Sequence, residues 1–191
     1  MSLIRSLATG VAAGAVAGAA GTIAMDAVWY RRYRKGGGRA RFTRWEFADD
    51  VTTWDDASAP GQVGRKALEL LTGETPPDSW ARPATNAVHW ATGVGWGAVF
   101  GLAGAVVSRA TASYATASRT GGTRAIAARV ALAASLGPAA WLTSYATLPL
   151  LGVYRPIWKY DAGTLGKDLS AHLVFGLVTA STHALLTWRK R

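Results

Sequence analysis

Cysteine does not occur anywhere in the sequence. Disulfide frameworks, thiolate metal sites and cysteine nucleophiles are therefore excluded. Also missing are an HExxH pair, a P-loop and a dinucleotide-binding fingerprint, the local patterns that carry zinc-protease, nucleotide and nicotinamide chemistry. Ser170 precedes His172 by two positions and so points to a different side of a helix, which argues against a Ser–His nucleophile pair. No catalytic residue and no metal ligand set is assigned, and the chain reads as a non-enzyme without a cofactor.

The absence with the largest consequence is that of charge. Four stretches contain none: Ser6 to Met25, Pro83 to Ser108, Val130 to Tyr154 and Leu169 to Trp188. About 20 apolar helical residues cross a hydrocarbon core, and in lipid the backbone satisfies its own hydrogen bonds only as a helix or a closed barrel. The expectation is an all-α polytopic membrane protein with four transmembrane helices, spanning approximately residues 6–29, 83–108, 130–153 and 164–188. A composition of 50% hydrophobic and 17% charged residues agrees, being unusual for a soluble domain. Of nine Trp and six Tyr, many lie at the span ends, where amphipathic rings favour the headgroup level. A cleaved secretory signal is the rival reading of the first stretch, but its Ala/Gly-rich character suits a helix packed among helices.

What charge there is lies in the connections. The net charge is +10, and Arg31, Arg32, Arg34 and Lys35 open a basic run directly after the first span. Anionic lipid headgroups are the nearest partner for such a run, and no motif suggests nucleic acid. The connections after spans one and three carry 12 Lys or Arg, against eight in the termini and the connection after span two. The excess places the first loop in the cytoplasm, although the basic C-terminus opposes this.

That first loop, residues 30–82, is too polar to cross a membrane and too short for a substantial core of its own. Gly36, Gly37 and Gly38 read as a flexible joint. Apolar residues mixed with acids from Arg44 to Asp56, and helical spacing from Val63 to Leu71, predict two short interfacial helices. The acids lack EF-hand spacing and read as a solvated face. Pro83 suits the first turn of span two. Arg109 to Arg129, rich in Ser, Thr, Ala and Gly, reads as a plain connector.

Small residues recur at four-residue steps. Gly10, Gly14 and Gly18 line one face of span one, the spacing that lets helices approach closely. His89 heads Gly93, Gly97 and Gly101, and His172 heads Gly176, Ala180 and Ala184. Spans two and four run in the same direction, which allows a two-fold parallel repeat of a helix hairpin. The same small-residue faces can serve packing within one chain or between copies, so a homo-oligomer or a membrane-complex partner is expected.

At about 1.5 Å rise per residue, His89 lies about 9 Å inside span two and His172 about 12 Å inside span four. Asp26, Lys167 and Asp168 fall near the same membrane face. Together they predict a polar intramembrane cluster of Asp26, His89, Lys167, Asp168 and His172 beside the first loop. Ionisable groups at such depth prompt a functional reading. Structural pairing, a proton or small-solute path, headgroup binding and bis-His haem ligation by His89 and His172 all remain open at this point. His183 lies about 16 Å beyond His172 and cannot share a metal with it.

Trp141 to Leu177, WLTSYATLPLLGVYRPIWKYDAGTLGKDLSAHLVFGL, resembles the end of the YagU-type family of bacterial inner-membrane proteins. The resemblance rests on a Pro-Leu-hydrophobic-Gly turn, a Trp-Tyr-acidic step and a Gly/Ala-His-Leu-Val helix. Asn86 to Leu102 resembles an earlier span of that family, whereas the long basic first loop departs from it. The resemblance implies a multi-pass inner-membrane protein connected to acid or envelope stress, and it carries over no catalytic residues. The expected function is a non-catalytic protein that self-associates or supports a membrane complex, with a small proton or solute channel as the alternative.

Overall fold

A computed structural model describes residues 2–115 and 121–188. Among these there is no strand: the chain is all-α, in the order α1 (Leu3–Lys35), α2 (Phe42–Glu46), α3 (Ala59–Thr72), α4 (Ala81–Ala115), α5 (Gly121–Thr147) and α6 (Ala162–Trp188). Single 3-10 turns at Asp78–Trp80 and Ile157–Lys159 precede α4 and α6. Four helices are long and apolar enough to cross a membrane, at Leu3–Lys35, Asp78–Thr111, Thr123–Thr147 and Ala162–Trp188.

The element ends differ from the charge-free stretches for local reasons. Helix α1 continues through the basic run to Lys35, because Arg and Lys are good helix formers. It stops where Gly37 takes φ 93°. The expected flexible joint is a built turn, in which the Tyr33 hydroxyl accepts from the Arg39 and Ala40 amides at 3.1 and 3.0 Å. The third long helix ends at Thr147, short of Tyr154, since Pro149 follows and cannot continue it. Much of the expected connector is helical, with α4 reaching Ala115 and α5 starting at Gly121; residues 116–120 lie outside the described residues. Asp161 caps α6, accepting from the Thr164 amide at 2.9 Å and its hydroxyl at 2.7 Å, bonds that hold its carboxyl below the usual range.

The chain forms two compact units. The first comprises Met1–Met25, Gly93–Ala140 and His172–Arg191. Here α1 meets α4 glycine to glycine: a Cβ on Gly10 would stand 2.7 Å from the Gly101 carbonyl oxygen, and one on Gly14 would be 2.9 Å from the Gly101 Cα. Gly18 is closed off likewise by Gly93 and Gly97. Thr22 turns its hydroxyl back to the Gly18 carbonyl at 2.9 Å. Gly21 abuts Phe175 and Thr179 of α6, and Gly176 of α6 abuts Gly137 of α5. Phe100, Leu136, Ala140 and Phe175 make the apolar core.

The second unit comprises Asp26–Thr92 and Trp141–Ala171. It contains a core that the loop's composition did not announce: Val51, Trp54 and Ala81 are buried, with Ala48, Ala57, Leu68 and Ala84 against them. The loop achieves this by borrowing the first turn of α4. Of the two expected interfacial helices, the first is reduced to the five residues of α2. Ala48 then takes φ 49°, a left-handed conformation in which a helix does not continue. The second is the amphipathic α3, closed by Gly73 at φ 76°.

Candidate functional site

Three side chains that are distant in sequence converge in the second unit. Asp26 is 4% exposed, and its Oδ2 lies 2.9 Å from His89 Nε2. The Glu46 carboxylate joins them, so that one donor atom from each of Asp26, Glu46 and His89 lies within 4.8 Å of the others.

Each residue is delivered by a face of its own element. On α1, Asp26 and Tyr30 are four apart and share a side. Tyr30 packs on Phe42 and Trp45, with ring centroids at 5.2 and 5.5 Å, and donates its hydroxyl to the Ala40 carbonyl at 3.0 Å. That aromatic packing lays α2 along α1 and brings Glu46, the next residue, to Asp26. On α4, Arg82, Asn86 and His89 fall on one stripe. Arg82 Nε and Asn86 Nδ2 both donate to the Phe47 carbonyl, at 3.1 and 3.0 Å, and Arg82 also pairs with Asp49. Helix α2 is thus held at one end by α1 and at the other by α4.

Burial and the neighbouring Asp26 carboxylate, opposed by His89, push the Glu46 carboxyl up to about 7. Its Oε1 is buried with no hydrogen-bond donor. An acid raised in the folded state contributes its full stability below its ordinary value of 4.5, and that contribution is lost as pH rises through about 7. For metal-free protein we expect Glu46→Gln to melt with the wild type near pH 4 and above it at pH 8. Parallel melting curves across that range would refute the placement of Glu46.

Lys167 and Asp168, in the same unit, have partners of their own. Lys167 contributes its carbonyl to Arg32 Nη1 at 2.8 Å, while Arg32 Nη2 reaches the Ser170 hydroxyl at 2.7 Å and the guanidinium lies 4.7 Å from the Trp29 ring centroid. Asp168 lies beside the hydroxyls of Tyr145 and Tyr154. Burial first, then Asp168 and Tyr160, push Tyr154 up to about 12. His172 belongs to the other compact unit, where its backbone faces Gly137. Of the expected lipid-contacting cations, Arg31, Arg34 and Lys35 are exposed, whereas Arg32 is engaged as described.

Glu46 is the member that the sequence reading missed, and the metal-ligating potential of the group went with it. The polar stripe Arg82–Asn86–His89, continuing into the Gly93 strip, was the available signal that something polar docks on that side of α4. The expected acidic face is partly engaged: Asp49 pairs with Arg44 and Arg82, and Asp56 accepts from the amides and hydroxyls of Thr52 and Thr53. The chain matches no known protein family, curated protein or solved structure.

Proposed function

We propose that this is a non-catalytic multi-pass protein of the bacterial inner membrane, its first loop cytoplasmic, which acts by holding a partner. The observation that carries the reading is the closure of the first unit. The pairs α1–α4, α1–α6 and α5–α6 each meet at a glycine where a Cβ would strike the neighbouring helix. Backbones in such contact leave no room for water between these pairs at those points, which supports a packed scaffold over a pore. Because the glycine faces are occupied inside the chain, association with a second copy or another membrane subunit would use the outward Val, Leu and Ile side chains. Arg31, Arg34 and Lys35 remain available to anionic headgroups. Kinship with the YagU-type proteins would fit this reading and would link it to acid or envelope stress.

The alternative, a proton or small-solute path, draws its support from the Asp26–Glu46–His89 group. Reconstitution in vesicles separates the two. We expect no protein-dependent proton or solute leak between pH 5 and 8, with wild type and His89→Ala alike. A leak that His89→Ala abolishes, with fold and oligomer size unchanged, would replace the proposed function with transport.

A further inference from the structure

Two carboxyl groups and an imidazole meet at one point, and no Lys or Arg is directed to it among the described residues. Asp26 is 4% exposed, the Glu46 Oε1 is out of solvent and lacks a donor, and neither carboxylate is paired with a Lys or Arg among the described residues. Elsewhere in the same unit Asp49 draws Arg44 and Arg82, so cations are at hand but are directed to another acid. Among the described residues the partner at this point is the imidazole of His89, whose Nε2 faces Asp26.

We infer that Asp26, Glu46 and His89 form a binding site for one first-row divalent cation. The donor set is one imidazole nitrogen and two carboxylate groups, which suits zinc, iron or manganese and is too hard for copper(I). Metal–donor distances of roughly 2.0–2.2 Å place neighbouring donors of a tetrahedral ion roughly 3.3–3.6 Å apart. The three donors lie within 4.8 Å of one another, so side-chain rotation of about an ångström closes the set. Three protein ligands leave a fourth position for water or for a group presented by a partner. The ion would tie α1, α2 and α4 together through one ligand from each. This goes beyond the proposed function, which stands or falls on leak measurements in which no metal is added.

The test uses untagged full-length protein in detergent, loaded with Zn2+, desalted and analysed for metal by mass spectrometry. About one zinc per chain is expected in the wild type, with Zn2+ affinity lowered about tenfold or more in Glu46→Gln and His89→Ala. Asp55→Asn, outside the site, should bind as wild type. Zn2+ should raise the melting temperature of the wild type and leave Glu46→Gln unmoved. Glu46→Gln is nearly isosteric, and a melt in chelator no lower than that of the wild type shows that its loss of metal is not misfolding. Mn2+ in place of Zn2+ should give a bound-ion resonance signal that Glu46→Gln lacks. Substoichiometric zinc in the wild type, or equal retention in the wild type, Glu46→Gln and His89→Ala, overturns the site.

Discussion

Replacing Gly97 by alanine is expected to destabilise the protein by about 3 kcal/mol, roughly 6–12 °C in Tm, for the addition of one methyl group. A Cβ at that position would overlap the Gly14 carbonyl oxygen and stand 2.5 Å from the Gly18 Cα, where ordinary contact begins near 3.4 Å. Both obstacles are backbone, so no side-chain rotation relieves them. Helices α1 and α4 must part by about 1 Å, and a gap of that size forfeits a quarter to a half of the dispersion attraction along the seam. The control lies two residues away. Gly95 has nothing within 4 Å of its Cβ position, so Gly95→Ala should be neutral or stabilising by about 0.5–1 kcal/mol through helix propensity. Thermal melts of the two variants in one detergent decide the matter. Similar Tm values for Gly97→Ala and Gly95→Ala would mean that α1 and α4 do not meet at this seam.

The second large effect is expected at Trp54, 3% exposed at the centre of the loop core. Its indole donates to the Pro76 carbonyl at 2.7 Å, its amide donates to Asp78 at 3.1 Å, and its carbonyl accepts from Gln62. One residue thereby joins the stretch after α2, helix α3 and the turn before α4. Trp54→Ala should cost about 3–5 kcal/mol, more than a core this small can absorb. The loss is local: residues 40–80 should become sensitive to protease while far-ultraviolet circular dichroism retains the signal of the four long helices. Trp54→Phe, which keeps most of the ring volume, should resist cleavage better than the alanine variant. Unchanged proteolysis of Trp54→Ala would show that the loop is held by something other than this core.

The two effects arise on different scales of information. The close approach of α1 and α4 could be read as a tendency from Gly10, Gly14, Gly18, Gly93, Gly97 and Gly101, because a four-residue step places them on one face regardless of surroundings. Which strip meets which could not, since α6 also presents small residues and in fact uses Gly176 against Gly137. The same holds for the polar residues. Asp26 and His89 stand out in sequence because charge and imidazole are rare in apolar stretches, and the structure pairs them. Lys167 and Asp168 stand out equally, but one gives its carbonyl to Arg32 and the other lies beside tyrosines. Glu46 does not stand out at all, being one acid among several in a polar loop.

Helix count and approximate span positions were determined by the sequence alone, because a lipid interior forces each charge-free segment to satisfy its own backbone and that requirement is local. The location of Glu46, the loop core around Trp54 and the partner of each glycine strip were decided only by tertiary structure. Each depends on the azimuth at which side chains leave separate helices and on packing between segments distant in sequence, as between Asp26 and His89, 63 residues apart. Periodicity along one segment carries no information about that angle relative to another.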